Sequence, residues 1–204
     1  MGNETGQVES FTAAAMGMPD ALLTARHGER PLYENPWVRL VKVDITPPDG
    51  RRFEHHVVRL QRVALSVVLD NEDRVLLLWR YRFAVDAWGW ELPGGIVDGV
   101  EDPQATAERE TLEETGWRPF GLSKLLEFQP MPGMVDTPHE IYIGRGATHV
   151  GEPTDAEEAS VVRWVPLSVV PELIRRGLVA GAGSLVGLQQ AVAVSRQQDQ
   201  VQTP

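Results

Sequence analysis

The chain has 204 residues, 42% hydrophobic and 24% charged, with a formal net charge of −10 and no cysteine. These values fit one full domain plus an accessory element, and they exclude disulfides and a thiolate metal site. They also exclude an overall basic footprint for nucleic acid, and no apolar run is long enough to span a bilayer.

Residues 1–30 show no sustained period and mix small, polar and Gly/Pro residues. They predict a flexible N-terminal segment with at most one short helix, near residues 20–25. The opening MGNETGQVES is acidic, so a secretory signal is not expected, and the lack of cysteine fits a cytoplasmic protein. Residues 31–60 read as an N-terminal β-hairpin element. In 37–45, Trp37, Arg39, Val41, Val43 and Ile45 alternate with polar and apolar neighbours, then Pro47-Pro48-Asp49-Gly50 makes a turn into a second strand at 51–60. An isolated hairpin is marginal in water, so this one must pack on the rest of the chain or on a second copy. His55 and His56 are adjacent on a strand, face opposite sides and cannot form one site.

The main domain is expected over 61–195. Strands at 62–70 and 74–83 are joined by a turn, and WGWELPGG leads into a helix. Asp102 before Pro103 is a helix start and Gly116 a helix stop. Strands follow at 121–131 and 139–148 around a Pro132-Gly133-Met134 loop, then an acidic loop at 151–160, a strand at 161–167, and helices at 169–177 and 184–195. Residues 196–204 read as a disordered tail. Strands on both sides of the first helix, with helices closing the chain, predict an α/β architecture with a mixed sheet between helical layers.

On the first helix Glu110, Glu113 and Glu114 lie three and four residues apart, so their carboxylates leave one face. Like charges so placed repel by about 0.2–0.5 kcal/mol per exposed pair. A hard divalent cation would turn that repulsion into binding, because Mg²⁺ takes carboxylate oxygens. An acidic run alone would read as a solvated, salt-bridged face. The wider spacing argues otherwise: Gly95, five residues, Glu101, seven residues, Arg109-Glu110, two residues, Glu113-Glu114, one residue, Gly116. Chance produces such a pattern about once in 10⁸ start points.

This pattern resembles the Nudix box, the signature of Mg²⁺-dependent hydrolases that split a nucleoside diphosphate from its attached group. The resemblance implies a Nudix-type α/β/α sandwich. It implies Glu110 and Glu114 as metal ligands, Glu113 as a ligand or a neighbouring carboxylate, and Arg109 holding the loop through Glu101 or Glu113. Thr111 and Trp117 depart from the family's usual aliphatic residues. The N-terminal hairpin, WRYR before WELPGG, and Pro132 fifteen residues after Trp117 resemble the ADP-ribose and nucleotide-sugar pyrophosphatase branch.

That branch implies a homodimer, a small nucleoside diphosphate substrate, no nucleic acid or membrane partner, and Mg²⁺, with Mn²⁺ able to substitute. It implies the Gly94 carbonyl as a further metal ligand and Arg80 and Arg82 on the diphosphate. Trp37 and Phe53, of this chain or of a partner subunit, would stack on the base and Met134 would line the pocket, while Trp88 and Trp90 are read as packing. The matching mobile loop is 151–160, with Glu157 as general base and Glu158 as an extra metal ligand; Asp155 and Glu152 stay open there, and Glu113 is the alternative base. His139 and Glu140 are read as structural. Products would be AMP and ribose 5-phosphate, or the analogous pair. A nucleoside triphosphate pyrophosphohydrolase, a silent nucleotide-sugar-binding regulator and a purely structural acidic protein are the rival readings.

Overall fold

The computed structural model describes residues 8, 12, 16–17, 19–154 and 160–202. The chain divides into two compact units, Met1–Arg59 and Leu60–Pro204.

The first unit holds a 3-10 turn, Asp20–Leu22, and three strands, β1 (Ala25–Glu34), β2 (Arg39–Thr46) and β3 (Phe53–Arg59). All pair antiparallel, in the order β1-β2-β3. The hairpin expected from the alternation is present: Arg39 lies opposite Arg59 and Ile45 opposite Phe53, closed by a turn in which the Gly50 N–H donates to the Pro47 carbonyl. Val41 and Val43 are its buried positions. β1 falls in the segment expected to be flexible up to residue 30. Its sequence, ARHGERPLYE, lacks apolar alternation because all ten residues are exposed, and the register slips beside Gly28 and Pro31. Such breaks suit an edge strand rather than a buried one. Ion pairs tie the strands: Glu54 accepts from Arg30 and Lys42, whose hydrogen bonds draw its carboxyl down to about 2.

The second unit contains β4 (Val63–Leu69), β5 (Arg74–Arg82), β6 (Ala87–Glu91), β7 (Gly94–Ile96), helix α1 (Pro103–Thr115), β8 (Trp117–Pro119), β9 (Ser123–Phe128), β10 (Val135–Asp136), β11 (His139–Arg145), β12 (Ala147–His149) and β13 (Val161–Pro166). A 3-10 turn (Leu167–Val169), α2 (Val170–Arg175) and α3 (Ala182–Gln202) close it. α3 extends to Gln202, into the segment expected as a disordered tail. The main sheet has the order β13-β5-β4-β11-β9, with β6 beside β5 and β7 beside β4. Among the described residues of this sheet only the β4–β11 pair is parallel, with Val63 opposite His139 and Leu69 opposite Arg145. The sheet is therefore mixed.

β4 shows why. Leu65, Val67 and Leu69 enter one core with Leu188 and Ala191 of α3 and Val170 of α2. Ala64 and Val68 enter a second core with Ala107 of α1, Leu76, Val97 and Tyr142. A strand buried on both faces reads as a continuous apolar run, as VALSVVL does. The result is an α/β/α sandwich. Among the described residues no helix is long and apolar enough to cross a membrane.

Candidate active site

α1 begins as its sequence dictates. Asp102 caps it by accepting from the Ala105 N–H at 3.3 Å, and Pro103 starts the first turn. It ends where Gly116 takes φ 73°, a left-handed value that stops the helix cheaply only at glycine. β7 delivers Gly94 and Gly95 alongside the helix. A Cβ at Gly95 would stand 2.5 Å from Glu110 Cδ and 2.6 and 2.8 Å from its two oxygens. The space a methyl would fill is thus taken by the Glu110 carboxylate.

Arg109 is the hub. Its Nε and Nη2 donate to Glu101 at 3.2 and 3.0 Å, and its Nη1 donates to Glu110 and Glu113 at 2.9 Å each. The alternative left open by sequence, Glu101 or Glu113, is resolved as both. The bonds from Arg109, then one from Thr106, hold Glu101 below the usual carboxylate range. Glu101 in turn, with help from Glu110 and Glu113, raises the Arg109 guanidinium above its ordinary value despite partial burial.

Glu114 lies apart from that hub. Its side chain is 2% exposed and that of Arg80 4%, and Arg80 Nη2 donates to Glu114 Oε1 at 2.7 Å. The Gly94 N–H donates to Glu114 Oε2 at 2.8 Å. Arg80 was expected on a diphosphate; it is instead buried against a box carboxylate. The reason is strand parity: Leu76, Leu78 and Arg80 share the β5 face that packs toward α1. Arg82, two residues on, is half-exposed and clamped by Glu91, with Nη2 to Oε2 at 2.7 Å. Glu91 also lies 3.9 Å from Arg80 Nε. Glu91 was missed from sequence. The pairing of β6 with β5 that puts Glu91 opposite Leu78, on the face of the two arginines, is a property of the fold and leaves no mark in the sequence.

Thr111, a departure from the family pattern, is buried. It donates to the Ala107 carbonyl at 2.6 Å and keeps its lone pairs for the Ser66 hydroxyl of β4 at 2.5 Å. Trp117, the other departure, packs edge-on to Trp164 at 5.3 Å between ring centres and against His149 at 5.0 Å. A cleft of about 540 Å³ opens beside them, lined by Thr115, Trp117, His149, Glu152, Arg163 and Trp164; no box carboxylate is among its described lining residues. Glu140 pins β4, β9 and β11. Arg62, Lys124 and the Tyr142 hydroxyl all meet it within 2.9 Å. Trp88 is half-exposed and stacks on Trp79, which also meets Trp90.

Trp37 and Phe53 belong to the first unit, where both are exposed. Met134 is exposed in the loop after β9. Glu157, Glu158 and Asp155 lie outside the described residues, and Glu152 lines the cleft. Among the described residues, no three Asp, Glu or His side chains are gathered so as to hold a metal ion as they stand. Arg109 and Arg80 hold the carboxylates instead. The donor set still suits a hard cation: three carboxylates on one helix face, beside a glycine whose missing methyl leaves Glu110 room.

The family model for the NUDIX domain matches residues 59–180. The chain belongs to the NUDIX family. It is a Nudix hydrolase, and its relatives include nucleotide-derivative hydrolases. One is the CMP-5'-(N-acetyl-N-hydroxy-3-aminopropyl)phosphonate hydrolase of Streptomyces rubellomurinus, 47% identical over 161 residues, 79% of this chain and 78% of that protein. Another is the ADP-ribose pyrophosphatase of Mycobacterium tuberculosis, 28% identical over 72% of this chain and 73% of its own. Among solved structures, one titled as an ADP compounds hydrolase superposes with a TM-score of 0.74, covering 86% of this chain and 95% of that one. At 16% identity it speaks for the Nudix fold alone.

Proposed function

We propose that this Nudix hydrolase cleaves the P–O–P bond of a nucleoside diphosphate derivative, ADP-ribose or a related nucleotide sugar, with Mg²⁺ or Mn²⁺ as cofactor. The observation that carries the reading is the helix face on which Arg109 gathers Glu110 and Glu113, with Glu114 beside them held by Arg80 and the Gly94 N–H. Glu110, Glu114, the Gly94 carbonyl and, from the acidic loop, Glu158 would hold the metal. When bound, the cation supplies an acidified water and offsets charge on the diphosphate.

The chain's own residues do the rest. Glu157, with Glu113 as the alternative, takes a proton from the attacking water. The water oxygen bonds to one phosphorus, the bridging P–O bond breaks, and the bridging oxygen leaves with the other phosphorus. Arg82, held by Glu91 yet half-exposed, meets the diphosphate and stabilises charge on its oxygens. Trp37 and Phe53 stack on the base and Met134 borders the pocket. The exposed β1 edge and the exposed Tyr33, Trp37 and Phe53 support a homodimer. The cysteine-free composition supports a cytoplasmic protein.

The 47%-identical relative favours a second reading, in which the leaving group is a phosphonate carried on CMP. Both readings share one reaction, attack on a nucleotidyl P–O–P linkage. Incubation with Mg²⁺ and a panel of ADP-ribose, other nucleotide sugars, cytidylyl phosphonates and deoxynucleoside triphosphates, read by chromatography of products, separates them. AMP and ribose 5-phosphate from ADP-ribose support the first reading, and CMP release from the phosphonate the second. Turnover of triphosphates alone would sink both.

A further inference from the structure

Ser66 sits fully buried in the middle of β4, a polar residue in a strand whose other buried positions are all apolar. We propose that Ser66 is a positioning residue: it ties the glycine strand β7 and the helix α1 to one point, and so sets how the box carboxylates present themselves to a divalent ion. The inference rests on the metal reading given under Proposed function.

Three observations carry it. Ser66 holds both sides of the site. Its N–H donates to the Pro93 carbonyl at 2.9 Å, at the entry to β7, and its hydroxyl lies 2.5 Å from that of Thr111 on α1. Thr111 gives its own proton to the Ala107 carbonyl at 2.6 Å, so Ser66 is the donor between the two hydroxyls. These bonds also close a ring. Glu114 lies three residues beyond Thr111 on the same helix face, and its Oε2 accepts at 2.8 Å from the N–H of Gly94, the residue after Pro93. The gap that the ring spans has no slack. The Glu110 carboxylate already fills the space where a Cβ on Gly95 would stand, 2.5 Å from Glu110 Cδ. A shift of α1 against β7 therefore displaces Glu110 and Glu114 together. Two buried hydroxyls add little stability over an apolar pair of like shape, but their bond fixes one helix position where an apolar contact would let the helix slide.

The ring predicts that stability and metal affinity part company. Ser66→Ala/Thr111→Val removes both hydroxyls and strands no buried donor, so its melting should stay closer to wild type than that of Thr111→Val alone. Mn²⁺ should nevertheless bind to the double variant about tenfold more weakly, as when groups that orient metal ligands from behind are lost. Thr111→Ser loses a buried methyl and should melt earlier than wild type, yet it keeps the hydroxyl and should hold Mn²⁺ as wild type does.

The measurement is Mn²⁺ binding to the full chain by electron paramagnetic resonance of the free ion, beside melting by circular dichroism. Weaker binding in the double variant, with Thr111→Ser at wild-type affinity, supports the proposal. A double variant that binds Mn²⁺ as wild type does, or affinities that simply follow melting temperature through the series, overturn it while leaving the metal reading intact. Wild-type protein that binds no Mn²⁺ overturns both. Should the double variant fail to fold, Thr111→Ser against Thr111→Val still decides: equal Mn²⁺ affinity in those two refutes the role assigned to the hydroxyl pair.

Discussion

Replacing Gly95 with alanine probes the site with a single methyl group. The new Cβ would lie 2.5 Å from Glu110 Cδ and 2.6 Å from the nearer oxygen, where ordinary contact begins at 3.4 Å. The Glu110 carboxylate must therefore retreat by about 1 Å, a displacement that at a reacting centre costs on the order of 10²-fold in rate. The backbone does not object, because Gly95 is outside the left-handed region, and the obstructing atoms are the end of a flexible side chain. The fold should absorb the change for about 1 kcal/mol or less, a melting shift of roughly 2–4 °C. The assay is kcat for the preferred substrate at saturating Mg²⁺, beside a melting curve by circular dichroism. A fall in kcat with near-native melting is expected. A kcat within about threefold of wild type, in a protein that melts normally, would refute the placing of Glu110 at the reacting centre.

Glu114→Gln should lose turnover by about 10²-fold or more, and should also melt roughly 3–12 °C earlier, because charge-assisted bonds worth about 1.5–3 kcal/mol are weakened; an unchanged melting temperature would count against the Arg80 pair. Thr111→Val leaves the buried Ser66 hydroxyl without its partner on α1 and should cost about 1–3 kcal/mol, which Ser66→Ala/Thr111→Val should partly restore in denaturant titration. Burial pushes the Glu140 carboxyl up, but Lys124, Tyr142 and Arg62 outweigh it and hold it below the usual range. Its stabilising effect is then complete above the unfolded carboxylate pKa of about 4.3 and is lost as pH falls through the lower folded value. The melting gap between wild type and Glu140→Gln should accordingly shrink below about pH 4, and a gap that stays constant on acidification contradicts the argument. Glu157→Gln should lower kcat by about 10²–10⁴-fold with Mn²⁺ affinity kept, whereas Glu158→Gln should weaken Mn²⁺ binding; the reverse pattern would exchange their roles.

Much of this molecule was legible in one dimension because the signals are local. The cap at Asp102, the proline after it and the glycine at 116 are decided within a few residues, so α1 was readable to the residue. The alternation of β2 and the two-faced apolar run of β4 likewise report burial directly. β1 and the end of α3 were not readable. β1 is exposed along its whole length, so selection for a core left no periodic mark on it. The segment after residue 195 is polar and carries no apolar period to announce a helix.

The site divides the same way. Glu110, Glu113 and Glu114 share a helix face because 3.6 residues make a turn, and spacing alone shows that. Whether those carboxylates meet a diphosphate arginine, a structural arginine or one another depends on strands that arrive from elsewhere in the chain. Arg80 and Arg82 look interchangeable in WRYR. Yet the pairing of β5 with β6 and the packing of α1 bury the first against Glu114 and leave the second half-exposed on Glu91. Charge and spacing are properties of neighbours along the chain, and so the amino-acid order determined the chemistry on offer. Burial is a property of neighbours in space, and so only the folded sheet decided which arginine would be spent on holding the site together.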